Sequence, residues 1–193
     1  MGQRMKSAVI AALVAFPLAA GCGTSAGNSP PPVPPCDAAC QDGIALRSLR
    51  EGMKLLYNLE LQGKPVGPQD ATVPCPLGGS AHVFGTATSN AVQGATEVQL
   101  TYTLDHCKYS QVDTDPLLNY SVTIHGTIQQ AGTIAVQPTS TTALVITSDV
   151  LDVTGTVHEP KLDYAANACK LALSQAGNKL SGELCGRTVG VTL

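Results

Sequence analysis

Residues 98–104 read Val-Gln-Leu-Thr-Tyr-Thr-Leu, and residues 120–128 read Tyr-Ser-Val-Thr-Ile-His-Gly-Thr-Ile. Apolar and polar side chains alternate along both stretches, and valine, threonine and tyrosine favour β-strands. Alternation with a period of two is typical of a strand that buries one face and exposes the other. The two stretches therefore predict a sheet with one apolar face.

Shorter runs of the same kind lie on both sides of these stretches. They cover residues 81–88, 132–137, 143–148, 150–157, 170–174, 179–185 and 188–193. Short connections, such as 130–131 and 176–178, predict hairpins. We therefore expect an antiparallel meander, in which 81–88 pairs with 96–104.

Four glycines break the alternation at equivalent places: Gly85, Gly126, Gly155 and Gly182 each lie two residues from apolar neighbours on either side. They therefore belong to the apolar face of the sheet. Glycine in a strand interior marks a bend or a close approach of another backbone. We expect a strongly curved sheet or half-barrel rather than a flat sandwich.

The segment from Asp37 to Leu61 is the predicted helix. Its apolar residues recur at intervals of three and four, which aligns them in one stripe: Leu46, Leu49, Met53 and Leu56. The other face carries the charged residues Arg47, Arg50, Glu51 and Lys54. We predict a mainly β (α+β) fold in which this amphipathic helix packs on the sheet through its stripe.

The first 22 residues have the features of an export signal. Arg4 and Lys6 precede an uncharged apolar run over 7–21, which is shorter than the roughly 20 residues that span a membrane. The run ends in Leu-Ala-Ala-Gly before Cys22, and this ending resembles the lipobox of bacterial prolipoproteins. The resemblance implies a signal peptide at 1–21, removed by cleavage, and a diacylglyceryl group on the thiol of Cys22.

The resemblance also implies a location. Gly23 follows the cysteine, where an aspartate resembles an inner-membrane retention signal, so we expect the outer membrane of a diderm bacterium. Residues 22–35 contain five prolines within six positions, and such sequences form extended spacers. We therefore predict a lipid-anchored tether at 22–35 and a single domain at 36–193.

Six cysteines remain after Cys22, and an even number in an exported chain predicts disulfides. A hairpin centred on Gly177 places Cys169 opposite Cys185, each eight residues from the turn. Pairing of the first two predicted strands brings Cys75 close to Cys107. The remaining pair, Cys36 and Cys40, would require a distorted first helical turn.

Motifs for catalysis or metal binding are missing from the sequence. Cys36 and Cys40 have no second closely spaced pair, and the four histidines lack ligand spacing. We therefore expect neither a metal site nor another cofactor, and no enzyme activity. An alternative is a hydrolase-like site assembled from scattered residues such as His125, His158 and Asp152.

The charge balance of the chain restricts the classes of molecule that it can bind. The chain has 11 Lys and Arg against 14 Asp and Glu, a net charge of −3, which argues against a nucleic acid, since nucleic-acid binding needs a basic surface. We expect an envelope lipoprotein with a non-catalytic binding or structural role. Its partners would be the membrane, through Cys22, and an envelope protein or an apolar ligand; carriage of lipid is a variant of this function.

Overall fold

The computed structural model describes residues 35–61, 66–90, 94–135 and 141–193. Helix α1 spans Ala38–Glu60, and the strands are β1 (Gly67–Pro74), β2 (Ser80–Asn90), β3 (Ala95–Gln111), β4 (Tyr120–Ala135), β5 (Ala143–Val157), β6 (Leu162–Ala176), β7 (Lys179–Leu184) and β8 (Arg187–Thr192). A short 3-10 helix, Pro116–Leu118, precedes β4. The predicted signal peptide, Cys22 and most of the tether lie outside the described residues. Among the described residues, no helix has the length and apolar character needed to cross a membrane.

The eight strands form one antiparallel sheet in which neighbours in sequence are neighbours in space. The sheet is curved and unclosed, so β1 and β8 are its two edges. Helix α1 packs on its inner face, which confirms the predicted mainly β fold with a single helix. The predicted pairing of 81–88 with 96–104 is also confirmed, since Val83 lies opposite Tyr102.

Helix α1 begins where the sequence predicts it. The Asp37 side chain accepts a 2.9 Å hydrogen bond from the Cys40 backbone N–H, which caps the helix, and the helix closes at Leu61. All four residues of the predicted stripe are buried, together with Ile44 and Ala45. The prediction that Arg50 lies on the polar face is wrong, because its side chain is also buried.

Glycines and strand irregularities together curve the sheet. The four predicted glycines have φ between 128° and 150°, a region that L side chains rarely adopt. At Gly155 a Cβ atom would overlap the Ser121 carbonyl oxygen on β4. The registers of β3 with β4, β4 with β5 and β5 with β6 are each interrupted in mid-strand, and such bulges increase local bending.

Three details of the predicted sheet are wrong. Strand β1 was not predicted; it contains Pro68 and Pro74, which are tolerated at a sheet edge. Strand β4 continues through 130–131, where a hairpin was expected. The runs 143–148 and 150–157 belong to one strand, β5, whose register with β6 shifts between them.

All three predicted disulfides are confirmed: Cys36–Cys40, Cys75–Cys107 and Cys169–Cys185. The expected placement of the last pair is wrong by one residue. The turn between β6 and β7 has two residues, so the Cys185 N–H donates to the Lys170 carbonyl. Cys185 therefore bonds diagonally to Cys169, across a Cα–Cα distance of 4.6 Å.

Candidate functional site

A cleft of about 510 Å³ opens between α1 and one end of the inner face of the sheet. Side chains of α1, β4 and β6 line it, and the residues that matter chemically are Arg50, Glu51, Lys54, Gln130, Thr142 and Gln175. Its volume is within the range of small-molecule sites, about 300–1,000 Å³. The concave side of the sheet is otherwise occupied by α1 and its apolar stripe.

Arg50 is the charged group at the base of this cleft. Its side chain is only 7% exposed, and its Nε–H donates a 2.6 Å hydrogen bond to Oε1 of Gln175. Within the described part of the chain, no carboxylate oxygen lies within 4.0 Å of the guanidinium. Burial lowers the pKa of Arg50 below its ordinary value. The helix therefore carries a buried cation without an anionic partner.

The β6–β7 turn orients the side-chain amide of Gln175. Its Nε2–H donates a 2.7 Å hydrogen bond to the Gly177 carbonyl oxygen in the β6–β7 turn. This contact directs Oε1 towards Arg50, which fixes the position of the guanidinium. Two hydrogen bonds thus connect the turn, the end of β6 and the middle of α1.

Gln130 lies on β4 and also faces the cleft. It is 2% exposed, yet among the described residues neither Oε1 nor Nε2 has a hydrogen-bond partner. Leaving a buried polar group unpaired costs about 1–3 kcal/mol. A donor and an acceptor are therefore both available beside a buried cation.

Three other polar side chains of the lining, Lys54, Glu51 and Thr142, have partners of their own. Lys54 Nζ and Glu51 Oε2 lie 3.6 Å apart at the rim, so their charges largely offset each other. Thr142 Oγ1 accepts from the Ala135 N–H and donates to its carbonyl oxygen. Glu51 acts on Arg50 only through its nearby charge, without a direct ion pair, so the cleft can bind a small anion through the guanidinium and the Gln130 amide.

The residues of the alternative enzyme site do not converge. Asp152 on β5 lies opposite His125 on β4, but its Oδ1 accepts a 2.6 Å hydrogen bond from the Ala168 N–H. His158 lies six residues beyond Asp152, roughly 20 Å along an extended chain. It is buried, and its backbone N–H donates to the Asn119 carbonyl oxygen. Only two of the three residues are therefore neighbours.

A third grouping lies on the solvent-exposed side of the sheet. Asp105 Oδ1 is 2.7 Å from Nδ1 of His106 and 3.7 Å from Nδ1 of His125. The two imidazole rings are tilted by 30°, with centroids 4.5 Å apart. The three side chains offer ligand atoms that all lie within 4.8 Å of one another. The sequence predicted no metal site because the histidines lack ligand spacing along the chain. Residues that are separated in sequence can nevertheless lie close together in space, as His106 and His125 do here.

Sequence reasoning did not identify Gln130 or Arg50 as site residues, although the pattern contains a signal for each. Gln130 continues the inward phase of Val122, Ile124 and Ile128 on β4. Arg50 follows Leu46 by four positions, at the border of the apolar stripe. In both cases a polar residue occupies a position that the periodicity of the element assigns to the core. This signal could have identified both residues.

Comparison with known proteins assigns the chain to no group. No family model matches it, and neither a curated protein nor a solved structure matches it significantly.

Proposed function

We propose that this chain is a lipid-anchored envelope protein with a non-catalytic binding role, and that the cleft between α1 and the sheet is its binding site. The observation that carries the proposal is Arg50, a buried cation without a carboxylate partner at the base of an open cleft. A bound anion would compensate this charge. The proposed ligand is a compact organic anion.

The rest of the cleft defines the ligand further. Ile134 and Ala135 contribute apolar surface beside the polar base, which suits a ligand with an apolar part as well as an anionic group. Gln130 offers both a donor and an acceptor, so a carboxylate or sulfonate would accept from its Nε2. A neutral lipid would leave the Arg50 charge uncompensated, which argues against carriage of neutral lipid.

The proposed anchor rests on the resemblance of residues 18–22 to a lipobox. Two or more acyl chains on Cys22 would hold the protein on a membrane stably, since each buried methylene contributes about 0.8 kcal/mol. The test is metabolic labelling with a clickable fatty acid in the native host. We expect label in the wild-type chain and none in Cys22→Ala; label retained in the variant would contradict the anchor.

The binding site is tested with two fluorescent probes that share an aromatic framework, anilinonaphthalene sulfonate and the neutral phenylnaphthylamine. We expect the wild-type chain to bind the sulfonate about tenfold more tightly or better, with one molecule per chain, because a charge-assisted hydrogen bond contributes about 1.5–3 kcal/mol. Arg50→Met should abolish this preference. The matched control is Arg47→Met, one helical turn earlier and outside the cleft lining.

Gln130→Leu gives a second, independent measurement. Removing an unpaired buried amide should stabilise the fold, while weakening binding of the sulfonate probe. A residue with a purely structural role would not show this combination, because lost packing would lower stability. Equal affinity for the two probes in the wild-type chain, or an unchanged preference in Arg50→Met, would contradict the proposed site.

A further inference from the structure

We propose that Asp105, His106 and His125 bind one divalent transition-metal ion, with Zn²⁺ as the expected occupant. The three residues lie on neighbouring strands: the first two on β3 and the third on β4. This inference concerns a different surface from the cleft and does not rest on the proposed function.

A β-bulge creates the grouping. Leu104 on β3 pairs with Gly126 on β4, and Cys107 pairs with Ile124. Two residues of β3 therefore lie opposite His125 alone. In a regular strand, consecutive side chains point to opposite faces, but here Asp105 and His106 are both exposed, on the same side as His125. The bulge redirects a side chain that an uninterrupted strand would have turned inwards.

The backbone at the bulge adopts a conformation that is uncommon outside glycine. His106 has φ of 50°, in the left-handed region that few non-glycine residues adopt. Such conformations cluster at binding and catalytic sites, where the surrounding structure maintains them. Here the Cys75–Cys107 disulfide follows directly, and the Lys108 N–H donates to the Gly78 carbonyl oxygen. The adjoining chain is therefore firmly held.

The distances suit a single ion. Zn²⁺ binds imidazole nitrogen and carboxylate oxygen at about 2.0–2.2 Å, which places two ligand atoms about 3.4 Å apart in a tetrahedral site. The separations from Asp105 Oδ1, 2.7 Å to His106 and 3.7 Å to His125, lie on either side of this value. Both rings are exposed, so small rotations would complete the geometry. Metal binding would replace the hydrogen bond between Asp105 and His106.

The donor set selects the class of ion. Two imidazoles with one carboxylate suit Zn²⁺ or Cu²⁺, whereas Ca²⁺ and Mg²⁺ prefer oxygen ligands alone. Thiolates do not compete in the described residues, because each cysteine there forms a disulfide. Three protein ligands leave a coordination position that solvent or an external ligand can occupy. A groove of about 440 Å³, lined by His125 and Asp149, adjoins the site.

The test is isothermal titration of Zn²⁺ into the full chain, extracted in detergent and carrying no histidine tag. We expect one ion per chain. Losing even an outer-shell partner of a metal site costs about 10–100-fold in affinity, so His106→Ala and His125→Ala should each weaken binding by about 100-fold. Asp105→Asn should also weaken it.

The matched control is His82→Ala. His82 Nε2 lies 2.7 Å from Asp70 Oδ1 on an exposed part of the sheet, so it is a histidine–carboxylate pair without a second histidine. We expect its removal to leave the affinity for Zn²⁺ unchanged. X-ray absorption of the zinc complex should show a first shell of nitrogen and oxygen that includes two imidazoles.

Three results would overturn the proposal. The first is the absence of Zn²⁺ binding at micromolar concentrations, which would make the grouping a hydrogen-bonded surface cluster. The second is wild-type affinity in both His106→Ala and His125→Ala. The third is sulfur in the first shell, which would place the ion elsewhere, because none of the three proposed ligands contains sulfur. None of these results affects the probe-binding test of the cleft.

Discussion

Arg187 on β8 donates two hydrogen bonds, of 2.9 and 2.8 Å, to the buried carboxylate of Asp42 on α1. The Tyr164 hydroxyl on β6 donates a third, of 2.8 Å, to the same carboxylate. The two charged residues are 145 positions apart in the chain. This contact ties the last strand, an edge of the open sheet, to the helix inside its curve.

Breaking this pair should destabilise the fold considerably. Arg187→Met keeps the apolar stem but leaves the Asp42 charge buried. Removing one partner of a fully buried pair costs about 3–5 kcal/mol; since the Arg187 side chain is 49% exposed, we expect about 2–3 kcal/mol. The measurement is the urea unfolding midpoint at pH 7. The control, Lys54→Met, breaks the exposed pair with Glu51 and should change stability by less than about 0.5 kcal/mol; equal effects of the two variants would contradict the expectation.

The same carboxylate should make stability depend on pH in acid. Burial by itself raises the pKa of Asp42, but the hydrogen bonds from Arg187 and Tyr164 outweigh this effect and hold the pKa below its ordinary value. A carboxyl group with a lowered pKa in the folded state stabilises the fold above its unfolded pKa, about 3.9, and this stability is lost as the pH falls through the folded pKa.

We therefore expect the wild-type chain to lose more stability between pH 5 and pH 2 than Asp42→Asn, although the variant is less stable at neutral pH. Urea midpoints across this range provide the measurement. Parallel pH profiles for the two proteins would show that Asp42 does not contribute to the acid sensitivity.

The curvature of the sheet should depend on Gly155. Its φ is 145°, and a Cβ atom there would overlap the backbone of Ser121. Gly155→Ala should therefore cost more than about 3 kcal/mol or prevent folding, since β4 and β5 must separate. Gly43→Ala is the control: this glycine lies within α1 with no atom within 4 Å of the added Cβ, so the change should stabilise by about 0.5–1 kcal/mol. Near-wild-type thermal stability of Gly155→Ala would contradict the assigned role.

The features of the fold that depend on local periodicity could be predicted from the sequence. The helix follows from apolar residues at intervals of three and four, and the antiparallel order and the inward glycines follow from alternation and turn residues. Strand β1 could not be predicted in the same way, because Pro68 and Pro74 are acceptable only at an edge, and edge position is a property of the whole sheet. Likewise, the continuation of β4 through Gln130 depends on its partner, Leu100 of β3.

The candidate sites could not be predicted from local sequence patterns, because they depend on contacts between distant parts of the chain. The cleft requires Gln175 to approach Arg50 across 125 positions of the chain, and the cluster of Asp105, His106 and His125 requires a bulge. A bulge changes the pairing by one residue and leaves little trace in composition. For one disulfide strand pairing was enough, since pairing of 81–88 with 96–104 brings Cys75, just after β1, close to Cys107, within β3.

The three disulfides should contribute to stability in the order of the lengths of the loops that they close, with the longest loop contributing most. The bonds Cys75–Cys107, Cys169–Cys185 and Cys36–Cys40 have sequence separations of 32, 16 and 4. In the chain-entropy model the first two stabilise the fold by about 3–4 kcal/mol each, and the shortest loop contributes least. Double Cys→Ser variants of each pair, compared by urea unfolding under oxidising conditions, test this order. A cost for the pair 36 and 40 as large as that for 75 and 107 would contradict the entropic explanation, and would indicate instead that the short disulfide maintains the start of α1 in the native state.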